Sequence, residues 1–80
     1  MPITNNAIDP NDADIKMAIR TKHGYPNSYQ YSFKKYNGRD KRFIIDGMIA
    51  RFSNLPIAEV TQVLIFYDNR TKQEIERYDF

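Results

Sequence analysis

Ile44, Ile45, Met48, Ile49 and Phe52 recur at i, i+1, i+4, i+5 and i+8, the stripe of one amphipathic helix. A helix with a single apolar stripe must bury it against another layer, so this stripe dictates a two-layer domain. The spacing predicts a helix over about residues 40–53. Asp40 stands where an N-cap belongs, and Ser53, Asn54 and Pro56 end the run. Gly47 interrupts it at a cost of about 1 kcal/mol relative to alanine.

The second layer is legible as segments of period two. Tyr29, Tyr31 and Phe33 alternate with Gln30, Ser32 and Lys34, and we read these three aromatics as core side chains on one strand face. Asn37-Gly38 suits a type I′ hairpin turn, but the stripe downstream favours a helix over a returning strand. Residues 63–67 are β-branched and aromatic, and residues 68–71 read as a turn. Residues 72–80 suit an edge strand whose charges discourage further pairing. The segment before Gly24 supports two readings. Asp9, Pro10, Asp12 and Asp14 are helix-start signals, yet Ile15, Met17, Ile19 and Thr21 alternate strictly with Lys16, Ala18, Arg20 and Lys22. Apolar period takes precedence over caps, so the segment is assigned to a strand. The predicted class is α+β, a small four-stranded antiparallel sheet with one helix packed on one face (ββαββ); a helical first segment gives the alternative αβαββ.

Eighty residues suffice for one domain, expected over residues 15–80 behind a flexible acidic arm at residues 1–14. With no cysteine there is no disulfide framework or thiolate metal site, so an apolar core or a partner must supply stability. The longest clearly apolar run, residues 63–67, is far short of the ~20 residues a membrane span requires. Residues 1–7 show no signal-peptide pattern, and the expected location is the cytoplasm.

Catalytic equipment is sparse. His23 is the single histidine and lies in a predicted turn, no two carboxylates are singled out as a pair, and Asp46 reads as a helix-flank ion-pair member. The acidic run from Asp9 fails as a calcium loop, since its sixth and twelfth positions are Asp14 and Arg20. Three glycines form no phosphate-binding loop. Asn69-Arg70-Thr71 matches a glycosylation sequon but reads as turn chemistry, with Asn69 tolerating a left-handed conformation. The expectation is a nonenzymatic protein without cofactor or metal.

Charge is uneven along the chain. Residues 15–51 hold nine bases against Asp40 and Asp46, within a total of only +2. Five of the nine, Lys34, Lys35, Arg39, Lys41 and Arg42, crowd the loop and the helix start, where the helix dipole disfavours cations unless an acidic partner lies against them. With Tyr25 and Tyr36 they form the candidate partner-binding site: Tyr25, Lys34, Lys35, Tyr36, Arg39, Lys41 and Arg42. The leading expectation is an interaction protein that binds and modulates or inhibits a protein partner with an acidic surface. The alternative is a nucleic-acid-binding domain using the basic-aromatic segment 25–42. An exposed edge strand also offers a route to a homodimer. In size and simple layout the chain resembles small accessory proteins of phages and mobile elements. That resemblance implies action on a nucleic-acid-handling complex.

Overall fold

A computed structural model describes residues 8–80. Its order is β1 (Ile15–Thr21), β2 (Ser28–Tyr31), a 3-10 turn at Lys34–Tyr36, α1 (Lys41–Phe52), a second 3-10 turn at Pro56–Val60, β3 (Thr61–Asp68) and β4 (Glu74–Asp79). The strands form one antiparallel sheet in the order β2-β1-β3-β4. This is the ββαββ arrangement, and no helix among the described residues is long and apolar enough to cross a membrane.

The competition between helix and strand before Gly24 is resolved by a turn. Asp9 accepts the Asp12 N–H on its carbonyl and the Asn11 N–H on its carboxylate, both at 2.9 Å, so the signals that open helices here close a single turn with Pro10 inside it. Period-two alternation then governs Ile15–Thr21. β1 becomes a central strand, paired to β2 on one side and β3 on the other. Ile15, Met17 and Ile19 turn to the core with Ile44, Ile45, Met48 and Phe52 of α1 and Leu64 and Phe66 of β3. Each such side chain, once fully buried, contributes roughly 1.5–3 kcal/mol of transfer free energy.

Register corrects the expected role of the β2 aromatics. Ala18 faces Tyr29 and Lys16 faces Tyr31 across the ladder, while Met17 faces Gln30. Because Met17 points to α1, Tyr29 and Tyr31 point away from it, and Tyr29 is 54% exposed. Phe33 lies beyond the strand and opens the 3-10 turn. β2 is an edge strand, and its α1-facing positions are polar; just beyond it, buried Ser32 accepts the Ile15 N–H on its Oγ at 3.1 Å.

Asn37-Gly38 leads into α1 rather than a returning strand, as the downstream stripe requires, and its turn is not type I′. Asn37 has φ −56° and ψ 135°, Gly38 has φ 83°, and the Arg39 N–H donates to the Tyr36 carbonyl at 2.9 Å, which is type II geometry with glycine at its left-handed position. Asp40 occupies the N-cap of α1, but its side chain makes no capping hydrogen bond. In the β3–β4 turn the left-handed residue is Lys72, at φ 67°, rather than Asn69.

Residues 8–14, the described part of the acidic segment, lie against the rest of the domain; residues 1–7 of the expected arm are outside the described residues. Asp14 accepts hydrogen bonds from the Gly38 N–H at 2.6 Å and from Arg70 Nε at 3.0 Å. One carboxylate thereby joins the turn before α1 to the turn after β3.

Candidate interaction surface

The sequence-predicted site residues divide into three groups. Tyr25 stands apart in the β1–β2 loop, beside an open apolar depression that it lines with Pro26, Pro56 and Ile57. Lys41 and Arg42 begin α1 and are met by the protein's own acids. Lys41 lies 3.6 Å from Asp68, and Arg42 reaches Asp46 at 2.8 Å, Glu76 at 2.6 Å and the Tyr78 hydroxyl at 3.0 Å. The unfavourable placement of cations at a helix start is thus relieved from within, by β4 and by the end of β3. Hydrogen bonds from the Thr71 and Arg70 N–H groups, with Lys41 contributing less, hold the Asp68 carboxyl below its ordinary range. The Tyr78 hydroxyl, then Arg42, does the same to Glu76.

Lys35, Tyr36 and Arg39 do come together, with Lys34 in the same 3-10 turn, and the structure adds Phe33, Phe43, Gly47 and Arg51. Phe33 and Tyr36 meet edge to face with ring centres 5.9 Å apart, and Tyr36 meets Phe43 likewise at 5.3 Å. Cations lie on these rings: Lys35 is 5.2 Å from the centre of Tyr36, Arg39 4.4 Å from Phe43, and Arg51 4.1 Å from Phe33. Tyr36 is partly buried against the core, so it anchors the cluster rather than standing free.

Between the 3-10 turn and α1 lies a cleft of about 100 Å³, lined by Ser32, Phe33, Tyr36, Ile44, Gly47, Met48 and Arg51. Gly47 accounts for part of its depth. A Cβ built at Gly47 meets nothing within 4 Å, so neither close packing nor a positive φ requires glycine there. Its missing side chain leaves the helix backbone open to whatever enters the cleft. Arg51 rims the opening and donates to the Tyr31 carbonyl at 3.3 Å. Burial lowers its pKa, yet an arginine stays charged at physiological pH. Among the described residues, no carboxylate forms an ion pair with Arg51, Lys34, Lys35 or Arg39.

Sequence reasoning missed Phe43, Gly47 and Arg51, although a signal was present. The three recur every fourth residue, forming a row beside the apolar stripe, and a mid-helix glycine within such a row marks a place where backbone is left uncovered. His23 is exposed in the β1–β2 turn, and no group of three His, Cys, Asp or Glu residues is arranged to hold a metal among the described residues. No protein-family model matches the chain, and neither the curated proteins nor the solved structures contain a match.

Proposed function

We propose that this chain is a nonenzymatic interaction module that docks on a protein partner through the cleft between the 3-10 turn and α1, and modulates the partner by occupying its surface. The ligand this cleft suits is an acidic segment carrying one apolar anchor side chain. The anchor enters over Gly47 and Met48, and flanking carboxylates meet Arg51, Lys35 and Arg39.

The observation that carries this reading is Arg51. Its guanidinium is partly desolvated at the rim of an apolar cleft and has no ion-pair partner among the described residues. A cation in that setting gains more from an incoming carboxylate than a fully hydrated one does. Nucleic acid is the second reading for segment 25–42. It is weakened at this cleft because Phe33, Tyr36 and Phe43 pack edge to face on one another, at interplanar angles of 70° and 82°, and so present no row of coplanar platforms for successive bases.

The test is a fluorescence titration against a panel of peptides that place a Leu, Phe or Trp among Asp and Glu residues. Saturable binding that weakens at least tenfold in Arg51→Gln and in the Lys34→Glu/Lys35→Glu/Arg39→Glu variant, with circular dichroism unchanged, supports the module. Equal binding by wild type and variants would sink it. Single-stranded oligonucleotide binding lost in those same variants would transfer the cleft to nucleic acid.

A further inference from the structure

A second cationic and aromatic cluster lies on the sheet face turned away from α1. Lys16, Ala18 and Arg20 alternate onto that face from the central strand, and the register places Tyr31 and Tyr67 on either side of Lys16. Ala18 and Ile65 pair across β1 and β3 and are each only 2% exposed, although no helix among the described residues covers this face. The longer side chains around them do the covering and leave a depression of about 180 Å³ lined by Lys16, Arg20, Tyr29, Tyr67 and Lys72.

The electrostatics of this depression are one-signed. No carboxylate lines it, and none of its three cations takes part in an ion pair among the described residues. The acids on the same face, Glu74 and Asp79, belong to β4, and Glu74 is engaged by Arg77 at 3.2 Å. Lys72 is held at its edge in a left-handed conformation, with Nζ donating to Asn69 Oδ1 at 3.2 Å. Lys16 lies 4.4 Å from the Tyr29 ring centre, on one side of a ring that is otherwise largely exposed.

From this juxtaposition we propose that the open sheet face binds single-stranded nucleic acid, with bases stacked on Tyr29 and Tyr67 and phosphates at Lys16, Arg20 and Lys72. An open antiparallel sheet presents its side chains in a plane, and rings and cations interleaved in that plane match the alternation of base and phosphate along a single strand. A duplex, whose bases are stacked inside, offers nothing to the tyrosines. This site is separate from the cleft beside α1 and does not depend on the function proposed for it.

The test is fluorescence anisotropy with end-labelled ten-nucleotide oligo-dT and oligo-U, repeated on a duplex of the same length, at 50 and 200 mM salt. The single strands should bind more tightly than the duplex. Three neutralised phosphates give a slope of log K on log salt of about −2. Tyr29→Ala/Tyr67→Ala should weaken binding at least tenfold, and Lys16→Gln/Arg20→Gln/Lys72→Gln should flatten the slope, each with the circular dichroism spectrum of the wild type. Arg51→Gln should leave oligonucleotide affinity unchanged, which separates failure here from failure at the cleft. The proposal is overturned by absence of binding at 50 mM salt, by equal affinity for duplex, or by tyrosine variants that bind as tightly as the wild type.

Discussion

Asn69 Nδ2 donates to the carbonyl of Ala13 at 2.9 Å, joining the turn after β3 to the segment that leads into β1. The same nitrogen donates to the Pro10 carbonyl at 2.9 Å, and the Asn69 backbone N–H donates to the Asp14 carbonyl at 2.8 Å. Asn69 is only 6% exposed, so these are interior bonds, and the amide sought by a glycosylating enzyme is occupied and covered.

Asn69→Ala should therefore destabilise the domain by about 1–3 kcal/mol, the usual consequence of leaving buried carbonyls without donors. Asn69→Asp should be worse, because it places a carboxylate against two carbonyl oxygens. Urea unfolding monitored by circular dichroism measures both, and an unchanged midpoint in either variant would refute the role of this bridge.

Gly47 separates stability from binding. Gly47→Ala should raise stability by about 1 kcal/mol, since its Cβ meets nothing within 4 Å and alanine is the better helix former. Gly47→Leu should fill the cleft and lower affinity for the acidic peptides while the domain remains folded. Thermal unfolding and peptide titration of the two variants distinguish a glycine kept for access from one kept for packing.

Acid should weaken the fold through Asp68 and Glu76. Both carboxyls are held below their ordinary values of 3.8 and 4.5 by partners formed only in the folded state. A depressed folded pKa adds stability that is complete above the unfolded value and lost as pH falls through the folded one. The loss therefore begins near pH 4.5 and continues below 3.8, with little change between pH 6 and 7 from these groups. Melting temperatures at pH 7, 5 and 3 test this, and Asp68→Asn should show a shallower acid dependence than the wild type.

Two phenylalanines should behave oppositely. Phe66 is fully buried and meets Tyr78 edge to face at 5.9 Å, so Phe66→Ala should cost about 3–5 kcal/mol, enough to unfold much of a domain this size. Phe80 is 70% exposed, and Phe80→Ala should fall within about 0.5 kcal/mol of wild type. Chemical denaturation of both variants gives the comparison.

The helix was readable because its stripe is local: Ile44, Ile45, Met48 and Phe52 are buried together as their spacing requires. The β3–β4 hairpin was readable for the same reason. The β2 aromatics misled because an alternating pattern defines two faces without saying which one meets the helix, and large rings are usually buried. Here the Met17–Gln30 pairing decides the matter. Tyr29 and Tyr31 consequently passed from the expected core to the open face.

The site followed the same division. Residues 34–42 showed where cations gather, and Lys35 and Arg39 do lie on the ring cluster of Tyr36 and Phe43. That Lys41 and Arg42 are answered by Asp68 and Glu76 depends on contacts between α1 and strands that follow it in the chain. By itself the sequence determined the local periodicities, the helix followed by the β3–β4 hairpin and the uneven distribution of charge, because each arises between residues a few positions apart. Strand register, the pairing of cations with distant acids and the cleft over Gly47 were decided only by the tertiary structure. These depend on which distant side chains come within a few ångströms of one another, and near-neighbour spacing does not encode that.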